Sequence, residues 1–395
     1  MKELTCIVVG GGFAGIHAMK AIQKAHRAIG GEQKLNLILL DQQSHHVRKV
    51  LLFRPAVSSS NITVPWEQLL PVDSVFIQGS VEQVEPKDKI LLYTDFEGNQ
   101  HWLAYDVLVM AIGSVARRLE AEHGGITLTG VSTASQIYDL WQDNMRRAAE
   151  EKSKEERQRL LTAAVAGAGI SGVETAAELA FAMRSEAGKY GIHPSEVNVH
   201  LINAQERLFL EGPSKVSQKL EQDLAECGVT VHHKRKALRE EEGSLLLSDG
   251  DALPVGLTVW TLGLMPNPAL RTMGLPLADN GRVIVDECYR VPDADGVYAI
   301  GDNAYIVERV SGKVSQMTCK EAIPQAQRLG KIVAADLIGG EAPKHKAVMD
   351  AFTIGLGPGR GLLWTHKWGL DIIITGKLAY KIKCFTWDLA SMLKS

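Results

Sequence analysis

Two glycine-rich segments of this chain have the residue types and the spacing that bind a dinucleotide. The first, residues 8–15, reads V-V-G-G-G-F-A-G, and the second, residues 165–172, reads V-A-G-A-G-I-S-G. In each segment an apolar strand leads through a tight glycine turn into a helix, whose first N–H groups and positive dipole end attract a pyrophosphate. One such segment alone is weak evidence. Two in one chain predict two nucleotides held together, and chemistry that moves electrons between them.

The residue that follows the second strand of each unit is expected to lie near a ribose. The first of these strands, residues 35–40, leads to Asp41, whose carboxylate can accept hydrogen bonds from ribose hydroxyls. A solvated aspartate at a strand end is the alternative. The corresponding strand of the second unit ends at Asn203, whose neutral amide neither repels a 2′-phosphate nor clearly recruits one. The sequence therefore leaves the choice between NADH and NADPH open.

Three further strand-to-glycine segments indicate how the chain is organised. A buried strand in residues 105–114 ends at the turn of Gly113, and a matching strand in residues 257–263 ends at Gly263. The strand V-Y-A-I-G-D then ends at Asp302 and returns the chain to the first unit. The pattern predicts an α/β fold with two Rossmann-like dinucleotide-binding domains, the second inserted in the first, followed by a C-terminal α+β tail domain.

The domain bounds follow from the positions of these motifs. We expect the first domain in residues 1–118 and 280–340, the second in residues 119–279, and the C-terminal region in residues 341–395. At 395 residues the chain is long enough for each domain to enclose its own core. Within the second domain, the charged run of residues 145–161 predicts one helix with a solvated face.

Composition and charge exclude several classes of protein. The net charge of -3 gives no electrostatic footprint for nucleic acid, so no nucleic-acid partner is expected. The 5 cysteines are scattered without a C-x-x-C pair, which argues against a redox-active dithiol and a zinc site, so no metal is expected. No apolar run approaches the roughly 20 residues that span a bilayer. We expect cytoplasmic residence, with peripheral attachment to the cytoplasmic face of a membrane as a further option.

Five motifs in this order resemble those of flavin-dependent pyridine-nucleotide oxidoreductases with two dinucleotide domains. They are the first glycine segment, A-I-G-S at 111–114, G-A-G-I-S-G-V-E at 167–174, W-T-L-G at 260–263 and V-Y-A-I-G-D at 297–302. Within that superfamily the chain is most similar to type II NADH:quinone oxidoreductases. His45-His46, G-x-G-x-G-R-G at 355–361 and G-K-L-A-Y-K-I-K at 376–383 resemble especially the apoptosis-inducing-factor-like, ferroptosis-suppressor-like quinone reductases. The resemblance implies hydride transfer from NADH or NADPH to FAD, and electron transfer from FAD to a quinone-like acceptor.

In such proteins the first domain holds FAD, and the resemblance assigns residues to it by position. Asp41 would bind the adenosine ribose, the backbone of Val81 the adenine, and Asp302 the ribityl chain. Arg54 would lie near the flavin or its phosphates, with an ordinary surface arginine as the alternative. The glycines assigned to this site are Gly10, Gly12, Gly15 and Gly113.

The second domain would hold NADH or NADPH. The resemblance places Glu174 at the nicotinamide end as the catalytic residue. A glutamate in the first turn of a helix also stabilises the helix dipole by roughly a few tenths of a kcal/mol, which is the structural alternative. Asn203 stands where NADH-selective members carry an acid. The glycines assigned to this site are Gly167, Gly169, Gly172 and Gly263.

The helix beside the flavin departs from the pattern of type II enzymes. They carry A-Q-x-A-x-Q there, whereas residues 319–327 read C-K-E-A-I-P-Q-A-Q, with the glutamines displaced. Lys320 or Gln325 could face an acceptor oxygen, and a solvated helix position is the alternative for each. The acceptor pocket therefore differs, or the acceptor is not a standard quinone. Two other functions stay open: reduction of a protein electron carrier, and a redox-sensing flavoprotein whose nucleotide state controls partner binding.

The C-terminal region interleaves aromatic and basic side chains in a way that suits a membrane interface. Its aromatic residues include Phe352, Trp364, Trp368, Phe385 and Trp387. Helical spacing in residues 378–393 places four apolar side chains on one face, namely Ile382, Phe385, Leu389 and Met392. A tail that caps the flavin domain or forms the face of a homodimer is the alternative.

Overall fold

The computed structural model describes residues 3–30 and 33–393. Its helices are α1 (Phe13–Ala28), α2 (Val131–Glu150), α3 (Lys154–Leu160), α4 (Ile170–Ala187), α5 (Ser214–Glu226), α6 (Cys319–Ile338) and α7 (Gly376–Ala390). The strands up to residue 116 are β1 (Glu3–Val9), β2 (Lys34–Asp41), β3 (His45–Val47), β4 (Thr63–Pro65), β5 (Val75–Glu85), β6 (Ile90–Asp95), β7 (Gln100–Ala104), β8 (Val107–Met110) and β9 (Ser114–Ala116). The strands of the middle segment are β10 (Ile126–Thr127), β11 (Thr162–Ala166), β12 (Asn198–Ile202), β13 (Val229–His232), β14 (Ala237–Glu241), β15 (Ser244–Leu247), β16 (Ala252–Pro254), β17 (Leu257–Trp260) and β18 (Leu264–Pro266). The later strands are β19 (Val283–Ile284), β20 (Val297–Ala299), β21 (Ala304–Tyr305), β22 (Ala351–Gly355), β23 (Gly361–Lys367) and β24 (Leu370–Thr375).

A seven-stranded sheet forms the centre of the first unit, in the order β20-β8-β1-β2-β5-β6-β7. The strands from β20 to β5 in this order are parallel, and β6 and β7 extend the sheet antiparallel. Strand β8 reads V-L-V-M and is buried along its whole length, as expected of a parallel strand that is covered on both faces. Helices α1 and α6 pack against each other and so cover part of this sheet.

A five-stranded parallel sheet, in the order β10-β17-β11-β12-β13, forms the centre of the second unit. Its strands lie between β9 and β20 in the sequence, so the second unit is inserted into the first. The chain crosses between the units in β9 and returns in β18, and these two strands pair antiparallel. The two crossings therefore lie side by side. The numerical domain bounds stay a prediction.

The charged run of residues 145–161 forms two helices, so the prediction of a single helix is wrong. Helix α2 ends at Glu150, and α3 begins after Ser153. The Ser153 hydroxyl accepts a hydrogen bond from the backbone N–H of Glu156, which satisfies one of the free donors of α3. A serine in this position favours a new helix start over continuation of the old helix.

The C-terminal region is a three-stranded antiparallel sheet, β22-β23-β24, on which α7 packs. The buried residues of α7 are Ala379, Lys383, Trp387 and Ala390. This differs from the predicted apolar face, because Phe385 is 46% exposed and Met392 lies beyond the end of the helix. The buried face instead carries a lysine, whose partner is described below. Within the described residues, no helix is long and apolar enough to cross a membrane.

Candidate functional site

The carboxyl ends of both parallel sheets open onto one continuous cleft of about 2290 Å³. A single small-molecule site takes up roughly 300–1,000 Å³, so this cleft has room for two dinucleotides. Two predicted site residues, Gly15 and Arg54, do not line it. The predicted residues that line the cleft are Gly10, Gly12, Asp41, Val81, Gly113, Gly167, Gly169, Gly172, Glu174, Asn203, Gly263 and Asp302.

Each glycine of the first turn is needed for a different physical reason. Gly10 has a φ of +97°, and a Cβ there would stand 2.5 Å from the carbonyl oxygen of Ala111. A Cβ on Gly15 would overlap the carbonyl oxygen of Gly10, so Gly15 lets α1 pack against the turn rather than facing the cleft. Gly12 has nothing within 4 Å of its Cβ position and is open to the cleft. The backbone at Gly12 is therefore free for the close approach of a ligand.

Asp41 lies at the end of β2 and braces the first turn. One carboxylate oxygen accepts a hydrogen bond from the Gly11 N–H at 2.5 Å, and the other accepts one from the Gln43 N–H at 2.7 Å. Burial raises the pKa of the Asp41 carboxyl, although these hydrogen bonds favour the charged form. The carboxylate still borders the cleft, so contact with a ribose stays a prediction.

Two side chains, Trp66 and His46, support the first turn from behind. Trp66 was missed in the sequence, where His46 stands out only as part of the pair His45-His46. A Cβ on Gly11 would overlap the indole ring of Trp66, which is buried. The Nδ1 of His46 lies 2.9 Å from the Gly11 carbonyl oxygen. Burial lowers the pKa of His46 to about 4, so its ring is neutral at pH 7 and Nδ1 donates in this bond. The middle glycine of the run G-G-G, Gly11, was the available signal.

Asp302 is held at the cleft by residues from the two neighbouring strand ends. The Ser114 hydroxyl donates to Asp302 Oδ2 at 2.6 Å, and the Asn303 side-chain oxygen accepts from the Gly113 N–H at 3.0 Å. Burial raises the pKa of the Asp302 carboxyl, and Lys49 opposes that rise. Lys49 also favours the charged form of Asp41. This lysine lines the cleft and was not predicted.

Helix α6 presents Cys319 and Lys320 to the cleft, but Gln325 points into the protein. The Gln325 oxygen accepts from the Gly301 N–H at 2.8 Å, and its nitrogen donates to the Ser315 hydroxyl at 2.8 Å. The expectation that Gln325 faces an acceptor oxygen is therefore wrong, because both ends of its amide hold the Gly301 turn. Burial raises the pKa of the Cys319 thiol and so disfavours a thiolate there.

Lys320 is the remaining polar candidate on this helix. Its Nζ lies 4.0 Å from the centre of the Phe352 ring and donates to the Ala351 carbonyl oxygen at 3.4 Å. Burial lowers the pKa of the ammonium group. The side chain thus places a partly desolvated proton donor on the wall of the cleft.

The second turn repeats the first in its backbone. Gly167 has a φ of +112°, and a Cβ there would overlap the carbonyl oxygen of Thr261. A Cβ on Gly172 would overlap the carbonyl oxygen of Gly167, and Gly169 is open to the cleft. The Thr261 hydroxyl donates to the Gly167 carbonyl oxygen at 2.8 Å.

Glu174, the fifth residue of α4 and therefore beyond its first turn, connects the second unit to the C-terminal region. Its Oε1 lies 2.8 Å from the Lys383 Nζ and accepts from the Gly355 N–H at 2.8 Å. The Lys383 Nζ also donates to the Thr353 carbonyl oxygen at 2.7 Å. Glu174 is 4% exposed and Lys383 is 8% exposed, so this is a buried ion pair on the cleft wall. Lys383 was not singled out in the sequence.

Asn203 is buried at the end of β12, with its amide committed to the protein. Its nitrogen donates to the Gln205 carbonyl oxygen at 3.2 Å and lies 2.9 Å from the His233 Nδ1. Its side-chain oxygen accepts from the Gln205 N–H at 3.1 Å. The amide therefore shapes this corner of the cleft.

Arg54 lies away from the cleft, which corrects its expected place beside a cofactor. Its guanidinium lies over the indole ring of Trp387, 5.2 Å from the ring centre. It also faces Glu178, where burial raises the pKa of the carboxyl to about 7 although Arg54 opposes the rise. Arg54 thus contacts Trp387 of α7 and acts electrostatically on Glu178 of α4. Its sequence neighbours, L-L-F-R-P at 51–55, gave no sign of those distant partners.

Comparisons with known proteins agree with this architecture. The pyridine nucleotide-disulphide oxidoreductase family matches residues 4–326. The chain is 24% identical over 317 residues to a probable NADH dehydrogenase of Dictyostelium discoideum, covering 76% of this chain and 70% of that protein. It is 22% identical over 358 residues to a type II NADH:quinone oxidoreductase of Staphylococcus aureus, covering 88% and 86%. The solved structure of NDH2 from Plasmodium falciparum in complex with NADH has a TM-score of 0.83 at 16% identity, over 99% of this chain and 97% of that one. The predicted α/β fold is confirmed.

Proposed function

The chain belongs to the pyridine nucleotide-disulphide oxidoreductase family, and from that premise we propose that it is an FAD-dependent NAD(P)H:quinone oxidoreductase. When bound, FAD takes up a hydride from NADH or NADPH and passes the electrons to a quinone. The observation that carries the proposal is one cleft with a nucleotide-binding glycine turn from each parallel sheet on its wall. The names of the relatives, NADH dehydrogenase and NADH:quinone oxidoreductase, support the same activity.

The residues of the first unit fit FAD. Gly12 and Gly113 leave open space where a Cβ would stand, so a cofactor can lie against the backbone at both turns. The N–H groups at the start of α1 would bind the pyrophosphate, with Lys49 supplying a positive charge to the same cleft. Asp41 would accept from the ribose and Asp302 from the ribityl chain, and Val81 would meet the adenine.

The second unit would hold NADH or NADPH, and its contribution to catalysis is positioning. Hydride transfer requires no nucleophile, but it requires the two reacting rings at roughly 3–3.5 Å with water kept out. The turn of Gly167, Gly169 and Gly172 would fix the pyrophosphate, and Gly263 would leave room beside it. Glu174 would set the nicotinamide end of the cleft, because its ion pair with Lys383 fixes α4 against the C-terminal region.

The C-terminal region and α6 supply an apolar wall that suits a quinone ring. The apolar residues there that line the cleft include Met317, Ile323, Pro324, Val348, Met349 and Phe352. Lys320 is the polar group on this wall, and its ammonium would donate to a carbonyl oxygen of the quinone. A lowered pKa makes such a donor easier to deprotonate and suits it to protonating a reduced quinone.

An exposed apolar surface in the C-terminal region suits peripheral attachment to the cytoplasmic face of a membrane. Its members include Trp368 at 84%, Leu370 at 67%, Leu378 at 58% and Phe385 at 46% exposure. The Lys367 ammonium lies over the Trp368 ring, 4.2 Å from its centre. Exposed aromatic and basic side chains together favour an anionic lipid surface. A homodimer that covers the same surface is the alternative.

Reoxidation of the reduced protein identifies the electron acceptor. The purified protein would be reduced without oxygen by one equivalent of NADH or NADPH, then mixed rapidly with either a soluble quinone or a ferredoxin. With the quinone, we expect the flavin absorbance near 450 nm to return rapidly, within the time of one turnover. With the ferredoxin, we expect it to return slowly. In a Lys320→Met variant, the coenzyme should reduce the flavin at the normal rate, and the quinone should reoxidise it more slowly.

The other results have definite meanings. Fast reoxidation by the ferredoxin alone would make the protein a reductase of a protein carrier. A reduced state that persists with both acceptors, accompanied by a change of oligomeric state, would make it a redox sensor. Either result would overturn the quinone reductase proposal.

A further inference from the structure

We infer that the corner of the cleft beside Asn203 accepts the 2′-phosphate of NADPH through Lys236 and Arg235, so that NADPH binds more tightly than NADH. The inference rests on the proposed function, because it names the coenzyme of the same cleft. The relatives are named for NADH, and the residues of this chain at the end of β12 and after β13 favour NADPH.

The backbone brings the segments that follow β12 and β13 together at the cleft. The Asn203 N–H donates to the His232 carbonyl oxygen at 2.8 Å, and the Arg235 N–H donates to the Asn203 carbonyl oxygen at 3.1 Å. The Lys234 N–H donates to the Gln205 carbonyl oxygen at 3.0 Å. The adenosine ribose of a nucleotide bound to a βαβ unit lies at the end of the second strand, which is Asn203 here. Residues 235 and 236 therefore reach the corner where a 2′ substituent would stand.

This corner lacks the carboxylate that binds the two free ribose hydroxyls of NADH. Asn203 is neutral, and its amide is held by Gln205 and His233. Among the described residues of the 207–212 loop that line the cleft, the acid is Glu211, whose side chain is exposed. Asp249 and Asp251 hold Arg235 but do not themselves line the cleft. A 2′-phosphate therefore meets no buried negative charge at the strand end.

Two cations of different character line the same corner. The Arg235 guanidinium is held by Asp249 through Nε at 2.7 Å and by Asp251 through Nη2 at 2.8 Å. These contacts fix its orientation and balance its charge, and they leave Nη1 for a ligand. Lys236 is exposed, lines the cleft and forms no ion pair within the described residues. Lys236 is therefore the free positive charge, and Arg235 is the oriented donor beside it.

Arg207 adds a fixed positive charge to this corner, and both of its Nη atoms donate to the protein. Its guanidinium donates to the carbonyl oxygens of Phe209, Leu210 and Gly212 and to the hydroxyl of Ser217. It is thus committed to the shape of the 207–212 loop. A phosphate dianion gains from this charge and from Lys236, whereas the 2′-hydroxyl of NADH gains little from either.

The experiment compares two fragments that differ only in the 2′-phosphate, adenosine 2′,5′-bisphosphate and 5′-AMP. Their binding to the purified full chain would be measured by titration calorimetry at low salt. We expect the bisphosphate to bind about ten-fold more tightly. Lys236→Gln should remove most of that difference and leave the affinity for 5′-AMP unchanged. Lys234→Gln is the matched control, because Lys234 is exposed on the same segment but does not line the cleft, and it should keep the difference.

A second variant reverses the preference. Asn203→Asp places a carboxylate where the phosphate would lie, so it should weaken the bisphosphate about ten-fold while 5′-AMP binding is retained. Equal binding of the two fragments by the unchanged protein would overturn the inference, as would equal effects of Lys236→Gln and Lys234→Gln. The fragments transfer no electrons. If they behave as expected while neither NADH nor NADPH reduces a flavin, the proposed function fails and the phosphate site stands.

Discussion

The glycine turns at residues 10–15 and 167–172 are two copies of one backbone with different surroundings. In both, the first glycine has a positive φ, +97° at Gly10 and +112° at Gly167. In both, a Cβ on the last glycine would overlap the carbonyl oxygen of the first. The middle position differs, because Gly11 of the first turn corresponds to Ala168 of the second.

The difference at the middle position has a packing cause. Behind Gly11 stands the ring of Trp66, with His46 bonded to the Gly11 carbonyl. The second turn has the hydroxyl of Thr261 as its support, bonded to Gly167 instead. The first turn therefore has large buried side chains directly beneath it, and the second has space for a methyl group.

The side chains that brace the two turns also come from different places. Asp41 bonds back to its own turn at Gly11, whereas Asn203 bonds to the loop after β13. Glu174, near the start of α4, is paired with Lys383 from the C-terminal region. The first site is thus braced by side chains of its own unit, which fits a resident cofactor. The second depends on distant segments, which fits a coenzyme that enters and leaves.

Breaking the Glu174–Lys383 pair should give the largest difference between the two sites, because it affects the second site and leaves the first intact. Both side chains are buried, so Lys383→Met leaves a carboxylate without its partner, and we expect a loss of about 3–5 kcal/mol in the free energy of unfolding. Bound flavin should remain, since the first turn is untouched, while reduction by NAD(P)H should slow. Denaturant unfolding and rapid-mixing absorbance measure the two effects.

The matched control removes both charges together. Glu174→Gln with Lys383→Met leaves no unpaired buried charge, so the double variant should recover most of the lost stability. If the double variant loses as much free energy of unfolding as the two single variants together, the pair does not couple the second site to the C-terminal region.

The middle position of each turn gives a smaller and local effect. Gly11→Ala pushes a methyl group into the Trp66 ring, and we expect a cost of about 1–3 kcal/mol together with loss of bound flavin. Ala168→Gly adds no atoms and should change stability by about 1 kcal/mol or less, with flavin retained. Flavin content per chain and thermal unfolding would show the contrast. Similar results for the two variants would mean that the surroundings of the turns do not differ in effect.

The smallest expected effect is a pH dependence from His46. Burial lowers the pKa of His46 to about 4, so between pH 6.5 and pH 4 the unfolded chain takes up a proton that the folded chain does not. Acid therefore destabilises the folded state, and the share of this residue is roughly 1 kcal/mol at pH 6. The stability difference between the unchanged protein and His46→Phe should shrink as pH falls from 7 to 5.

The sequence predicts the parts of the site that local geometry determines. The glycine spacing predicts both turns, and the strand patterns predict that Asp41, Asn203, Gly113, Gly263 and Asp302 end at one edge. These residues line the cleft because the carboxyl ends of parallel strands meet there. The order of motifs also predicts the insertion of one unit into the other, since the returning strand β20 pairs with β8.

The remaining features depend on contacts between residues that are distant in sequence. Nothing in the segment G-K-L-A-Y-K-I-K indicates that its last lysine, Lys383, pairs with Glu174. Likewise, nothing around Arg54 indicates that it lies over Trp387. Gln325 has the residue type of a ligand contact, yet its amide is used to hold Gly301. Such roles follow from how α6 and α7 pack, which no local pattern specifies.

The most direct test of the central claim is an anaerobic titration of the purified protein with NADH and with NADPH, followed near 450 nm. We expect a yellow protein. Because both nucleotides share one cleft, about one equivalent of reduced coenzyme should bleach the flavin absorbance. A protein without flavin absorbance, or a bound flavin that neither coenzyme bleaches, would contradict the account.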